Sequence, residues 1–450
     1  MSVKKFFQHF YRDLFLTGRL FAALAMVSML YLLAFFFPVI GFLPTIALYT
    51  LLLLLALDVF LLYRPREGVH AQRNAPERLS NGDDNEIGIY VENRYRFGIH
   101  VGIIDEVPIQ FQRRDVWFET HLPVGGKKAI TYRLRPVKRG EYAFGRIRLY
   151  VKTSLALVQR RFTTGMPDTR PVYPAFIHLH QHELLAVSHR LSDFGAKRIR
   201  RIGHSMEFDQ IKHYVPGDDY RTLNWKATAR QGQLMVNAYT DERSQSVYCV
   251  IDKSRAMRMP FHGLSLLDYA INASLALSKV VIRKEDKAGL ITISDRKGAI
   301  IPADRKAGQL NRIMEVLYRE KTRYLETDME RLYATIRKTI KQRSLLVFFT
   351  NFESMSGMKR QLPLLKRMAQ FHALVVVFFE NTELERLTSQ PAVDVEAIYL
   401  QTIAAKFAYE KKQIVRELNL HGIQTLLTPP ENLTVNTINK YLAIKARQQL

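Results

Sequence analysis

The chain has 450 residues, 47% of them hydrophobic, which is material for two or three buried cores, and its single cysteine excludes a disulfide framework. The formal charge of +24 calls for an anionic partner, whether lipid surface, nucleic acid or acidic protein. Part of the excess lies beside hydrophobic segments, at Lys4, Lys5, Arg12, Arg19, Arg64, Arg66 and Arg73, which favours lipid over nucleic acid.

From Leu20 to Phe37 the chain carries no charge, and as a helix this run reaches roughly 27 Å, close to the thickness of a bilayer's hydrocarbon core. Pro38, Gly41 and Pro44 punctuate it, and Thr45 to Leu57 resumes the apolar run until Asp58 and Arg64-Pro65. The expectation is a transmembrane helical hairpin within residues 1–66 that is not cleaved as a signal peptide, because a full-length span is followed at once by a second. Basic residues crowd both outer ends, so the positive-inside rule puts both ends, and all of the remaining chain, in the cytoplasm. Asp58 is placed near the inner interface, with a functional intramembrane carboxylate as the alternative.

A polar linker, Asn74 to Asn85, comes next. Apolar residues then alternate at Ile87, Ile89 and Val91, at Ile130, Tyr132 and Leu134, and at Ile147, Leu149 and Val151. Period two means half-buried strands, and with turn signals at Gly125-Gly126 and Lys138-Arg139-Gly140 the segment 67–175 reads as a β-sandwich module. His178, His180 and His182 share one face of an extended segment, but only Glu183 or His189 stands near enough in sequence to complete a metal site, and a partly exposed linker is the simpler reading.

Residues 176–245 form a connecting segment with a dense motif: Gly203, Glu207, Phe208, Tyr214, Pro216, Gly217, Asp218, Asp219, Arg221, Trp225, Ala227, Ala229 and Arg230. Pro216-Gly217 makes a tight turn, and Asp218 or Asp219 is placed to cap a helix running to about Arg230, with Gly232 as its stop. Asp219, Arg221 and Arg230 are expected to form a partly buried charge network, with Trp225 offering a face to a guanidinium. The motif serves either to lock neighbouring modules together or to recognise a partner protein. A hydrolase built on His204, His213 and Asp218 is a remote third reading, because adjacent carboxyls in one turn do not acquire split pKa values, and the chain has neither a phosphate-binding loop nor a nucleophile elbow.

These motif residues, and the order in which a turn, a short helix and the apolar run Ser246 to Ile251 follow one another, resemble the bacterial membrane family called domain of unknown function 58. The resemblance implies an immunoglobulin-like character for the β-module, with Arg139 to Gly145 looking like its internal signature, and a von Willebrand factor A-like C-terminal part. It also implies a protein partner among MoxR-type AAA+ ATPases. Lys212 and His213 stand where many members have an Arg followed by an acidic residue, so a bidentate contact is not expected there.

After Asp252 strands and helices alternate through residues 246–450: helix 264–283, strand 288–294, helices 308–319 and 327–342, strand 345–350, helix 358–370, strand 373–379, helix 402–418, strand 423–427 and a last helix from 433. Runs such as Leu345 to Phe349 are apolar on both faces, as in central parallel strands covered by helices on both sides. The fold class expected is α/β: a transmembrane hairpin, a β-sandwich and a mainly parallel sheet flanked by helices. Cys249 falls in a buried strand and reads as an inert thiol.

In von Willebrand A domains an Asp-x-Ser-x-Ser turn, a threonine and a later acidic residue gather one divalent ion. Here the resemblance offers Asp252, Ser254 and Thr327, but Ala256 lacks the last hydroxyl and Thr350-Asn351 replaces a Ser-Asp pair, while Lys253 and Arg255 add positive charge. Magnesium, a hard cation that favours carboxylate oxygens, would bind such a set weakly, so the expectation is no cofactor, with Asp252 and Ser254 bonded to backbone donors or paired with Lys253 or Arg255. The leading reading is a non-enzymatic, membrane-anchored interaction protein. The alternative is a binder of anionic polymers through Lys197, Arg198, Arg200 and Arg201.

Overall fold

The computed structural model describes residues 12–37, 41–65, 67–113, 116–177, 207–216, 218–240, 244–389 and 394–447, in two compact units, 1–175 and 176–450. The first unit opens with β1 (Leu14–Leu16) and the helices α1 (Gly18–Phe36) and α2 (Leu43–Tyr63). Both helices are long and apolar enough to cross a membrane, by length and composition. Pro44 sits in the first turn of α2, where its missing N–H costs nothing.

Helix α2 runs past Leu57 to Tyr63 because Asp58 does not end it. The Asp58 side chain is fully buried and accepts the N–H groups of Leu157 at 2.9 Å and Val158 at 3.0 Å, together with the Thr153 hydroxyl. At the end of α2, where carbonyls lose their helical partners, Arg160 donates to the carbonyls of Leu62 at 2.7 Å and Pro65 at 2.9 Å, and the Tyr95 hydroxyl donates to that of Leu62 at 2.8 Å.

Ten further strands complete this unit: β2 (Val69–Asn74), β3 (Leu79–Ser80), β4 (Asn85–Asn93), β5 (Ile99–Asp105), β6 (Trp117–Leu122), β7 (Lys127–Leu134), β8 (Gly140–Phe144), β9 (Ile147–Lys152), β10 (Val158–Thr164) and β11 (Asp168–Tyr173). They form sheets of order β1-β10-β9-β5-β6, β2-β4-β7 and β3-β11-β8. In β4, Ile87, Ile89 and Val91 are buried while Glu86 and Tyr90 face out, as period two requires. Residues of β2 and β4 share one core with residues of β5, β9 and β10.

The segment Asn74 to Asn85 is not a solvated linker. It contains β3, and Ser80, Asn81 and Asn85 are buried. Asn85 accepts the Ser80 N–H at 2.8 Å and donates to the Ser80 carbonyl at 2.9 Å, so its amide takes the place of a strand partner.

The second unit begins with β12 (Glu207–His213), a short α3 (Trp225–Gln231) and β13 (Met235–Thr240), which pairs antiparallel with β12. Then follow β14 (Ser246–Asp252), a hairpin of β15 (Pro260–Phe261) and β16 (Leu264–Ser265), α4 (Leu266–Arg283), β17 (Lys287–Ile293), β18 (Lys297–Asp304), α5 (Gln309–Arg319), α6 (Met329–Thr339), β19 (Leu345–Phe349), α7 (Met355–Phe371), β20 (Ala373–Phe379), α8 (Thr382–Ser389), α9 (Val395–Leu420), β21 (Gln424–Thr428) and α10 (Leu433–Ala446). The sheet order is β18-β17-β14-β19-β20-β21, parallel except for β18, which folds back antiparallel on β17.

Alternate residues of β14 serve two cores. Val247, Cys249 and Ile251 pack with α4 and α10, while Tyr248 and Val250 pack with α6, α7 and α9. Ser265 and Asp268 form a reciprocal capping box at the start of α4. Helix α9 starts at Val395, earlier than the periodicity indicates, because Asp394 caps it through the Ala397 N–H at 2.7 Å while its first turns leave Val395, Ile398 and Tyr399 exposed.

Candidate functional site

The motif between β12 and β13 is built from hydrogen bonds that leave its large side chains outside. Asp218 accepts the Val215 N–H at 3.1 Å and the Lys212 ammonium at 2.8 Å, and its own N–H closes the turn on the Val215 carbonyl at 2.9 Å. The Lys212 contact, with the Val215 N–H assisting, holds the Asp218 carboxyl below the usual carboxylate range. Asp219 accepts the Arg221 N–H at 3.0 Å, and so caps a single 3-10 turn, Tyr220–Thr222.

The expected helix from Asp218 or Asp219 to Arg230 is therefore broken. Leu223 is extended, and α3 has its own cap, Asn224, whose side chain accepts the Ala227 N–H at 3.0 Å. What sets this start is the β-hairpin beneath. The Asn224 N–H donates to the Met235 carbonyl at 2.8 Å, the Asn224 amide donates to Asn237 at 2.8 Å, and the Met235 N–H donates to the Thr228 hydroxyl at 3.0 Å. Gly232 ends α3 at φ 70°, as expected for a left-handed stop.

The expected charge network takes a different form. Arg221 lies over the Tyr220 ring, 5.8 Å from its centroid, and Asp219 contacts the Arg221 backbone. Tyr214 is half-buried, with its N–H on the Leu234 carbonyl at 2.8 Å, while Pro216 and Arg230 are exposed. Val215, Tyr220 and Trp225 are exposed by 57%, 69% and 68%. His213 stands exposed at the end of β12, and Asp218 is engaged with Lys212 rather than with a base. Gly217, Gly203, His204, the histidine run 178–182 with Glu183 and His189, and Lys197, Arg198, Arg200 and Arg201 lie outside the described residues.

The second locus is the carboxyl edge of the parallel strands, where open sheets hold ligands. Here Asp252, Ser254 and Thr327 do come together. Both Asp252 oxygens are engaged: one accepts the Ser254 N–H at 2.8 Å and the Thr327 hydroxyl, the other the Thr350 hydroxyl at 2.8 Å. Burial raises the Asp252 carboxyl above its ordinary range, and the bonds from Thr327, Ser254 and Thr350 oppose that shift. Neither basic neighbour pairs with it. Lys253 reaches Glu320 at 2.6 Å, and Glu320 also accepts the Thr292 hydroxyl at 2.7 Å, while Arg255 faces Glu326 and Glu353 at 3.9 and 3.6 Å.

Beside this cluster Asn351 stands where the resemblance implies an acidic residue. Its amide donates to the Ala256 carbonyl at 3.4 Å, and its oxygen accepts Lys411 of α9 at 2.6 Å. Lys411 also donates to the Phe379 carbonyl at 2.7 Å, and burial pulls its ammonium down to about 8 against the attraction of Glu353 and Glu380. Sequence reasoning missed Lys411, which in a helix written Tyr409-Glu-Lys-Lys412 looks like a solvated lysine. The donor set at this edge is one buried carboxylate with both oxygens taken, three hydroxyls and an amide already bonded to a cation. With a single carboxylate, both of whose oxygens are already hydrogen-bonded, and an ammonium beside it, this is a poor set for magnesium, which is held by one or two carboxylates together with waters. Among the described residues no group of three or more His, Cys, Asp or Glu side chains is placed to hold a metal.

An open α/β sheet with a capped turn-and-helix motif at its amino side, carried on a chain with two long apolar helices, defines the class of protein. Residues 210–400 match the family described as Protein of unknown function DUF58. An uncharacterized protein of Bacillus subtilis (strain 168), YeaD, is 25% identical over 183 residues, 40% of this chain and 42% of that protein. The chain thus spans about two fifths of the curated relative it matches. Among solved structures, the CARDB domain of a Pyrococcus furiosus protein is similar at a TM-score of 0.17 and 14% identity, over 23% of this chain and 86% of that one. PapD-like domain 7 of human CEP192 is similar at 0.18 and 13%, over 24% and 87%.

Proposed function

We propose that the protein is a bacterial inner-membrane anchor for a protein-interaction surface: α1 and α2 span the bilayer, the rest of the chain faces the cytoplasm, and its job is binding rather than catalysis. In this reading the β-rich part of the first unit is an immunoglobulin-like sandwich and the second unit a von Willebrand A-like head. The basic residues outside both apolar helices support the orientation.

The observation that carries the proposal is the exposure of Val215, Tyr220 and Trp225 on a turn whose backbone is held by Asp218, Asp219 and Asn224. Exposed aromatic side chains beside an arginine have the composition of an interface hot spot. The inert surroundings argue in the same direction: Asp252 is locked by hydroxyls, and burial pushes the Cys249 thiol up to about 12. The partner we propose is a MoxR-type AAA+ ATPase, the association that the family resemblance implies.

Affinity capture from solubilised membranes tests this. The wild-type chain is expected to retain an AAA+ ATPase, Trp225→Ala to lose most of it, and Asp219→Ala or Arg221→Ala to weaken it. Equal recovery by all four chains would remove the recognition role.

A further inference from the structure

The sheet of the second unit ends on β21, and among the described residues no strand pairs with its outer side. In an extended strand the N–H and C=O of one residue point to the same side, and successive residues alternate. The Thr428 carbonyl accepts the Glu380 N–H that follows β20 at 3.0 Å, so Thr428, Leu426 and Gln424 bond inward. Thr425 and Leu427 therefore turn their main-chain donors and acceptors away from the sheet.

They open into a groove of about 520 Å³, bounded on its other wall by α9 through Lys412, Val415, Arg416 and Asn419. A volume of this size lies within the range of ordinary ligand sites. The strand itself carries no guard against pairing, since Gln424 to Thr428 contains no charge, proline or bulge.

The charges beside the edge say what it takes. Lys412 and Arg416 are exposed one helical turn apart, and neither makes an ion pair or hydrogen bond among the described residues. Glu417, the acid beside them, is turned to His421 at 3.4 Å. Four residues of helix advance roughly 6 Å, and two residues of an extended strand advance roughly 6.7 Å, so a Glu-x-Glu spacing on an added strand matches the two cations. A second copy of β21 would instead bring like charges together, which disfavours edge-to-edge pairing of the protein with itself.

We infer that the β21 edge, with Lys412 and Arg416, is a docking site for an extended acidic segment of a partner protein, bound as an added strand. This rests on the reading of the protein as an interaction module and names a surface separate from the Trp225 turn. In such a mode main-chain bonds give affinity and the flanking side chains give selectivity.

The test uses the full chain in detergent micelles and a fluorescein-labelled Val-Glu-Val-Glu-Val-Glu-Thr peptide, followed by anisotropy. The wild-type protein is expected to bind it, to bind more weakly as salt is raised, and to ignore the same peptide with Lys in place of Glu. Lys412→Glu with Arg416→Glu, both at exposed positions, is expected to weaken binding at least tenfold. Thr425→Pro removes one outward N–H and leaves the ladder to β20 intact, and the same loss is expected. Binding that survives either change, or that does not distinguish Glu from Lys, would overturn the assignment. Absence of peptide binding while the ATPase is still captured through Trp225 would overturn the groove alone, whereas loss of the function reading would appear as capture indifferent to Trp225.

Discussion

Replacing Asp58 by Ala is expected to loosen the junction between α2 and the strands of the first unit. Its carboxylate is the acceptor for two buried backbone donors, Leu157 and Val158, and for the Thr153 hydroxyl. A buried donor left without a partner costs about 1–3 kcal/mol, so the two N–H groups alone amount to about 2–6 kcal/mol. In Asp58→Asn the carbonyl oxygen can still face both amides while the new NH2 faces the Thr153 oxygen, and only the charge assistance goes, about 1 kcal/mol. Hydrogen exchange of the full chain in detergent micelles reads this at the Leu157 and Val158 amides. Exchange at least about thirtyfold faster in the Ala variant, and about fivefold faster in the Asn variant, is the expected result. Unchanged protection in Asp58→Ala would refute the view of Asp58 as a clamp.

Asn224→Ala removes the cap of α3 and is expected to cost about 0.5–2 kcal/mol, read by urea denaturation, with Asp219→Ala costing less because it caps a single turn. Lys411 is held at about 8 in the fold against 10.5 when free, so between those values the unfolded chain binds the extra proton and stability rises with pH. The rise is about 1.4 kcal/mol per pH unit across that window, and it should be absent from Lys411→Met in parallel denaturation curves. Millimolar magnesium is expected to leave the melting temperature unchanged, while Asn351→Asp, which restores an acid at the strand end, is the variant in which a rise would appear; a rise in the wild-type chain would contradict the account of the Asp252 cluster.

The sheet of the second unit was legible because Leu345 to Phe349 and the strand ending at Phe379 are short runs, apolar on both faces and rich in Val and Phe, which a covered strand accommodates. The two apolar helices were legible for the same reason of uniform composition. What local rules missed depends on partners far along the chain. Asp58 looked like a helix end, but its amide donors lie 99 and 100 residues away. Asn224 and Asp219 are equally good caps by residue type, and the choice was made by Met235 and Asn237 on a strand that follows. Lys411 is one of two adjacent lysines, and only the Phe379 carbonyl and Asn351 separate the buried one from Lys412. Asp252, Ser254 and Thr327 do meet, and Thr350 joins them as a fourth member because its hydroxyl, 98 residues along the chain, reaches the second Asp252 oxygen.

The central claim is that the exposed turn carrying Tyr220 and Trp225 is a protein-binding surface. Its most direct test is a photo-crosslinking amino acid placed at position 225 of the full chain in living cells, with a second at exposed Tyr324 of the same unit as a reference. The account predicts one discrete protein adduct from position 225, identified as an AAA+ ATPase, and none of that product from position 324. The same adducts from both positions, or none from position 225, would contradict it.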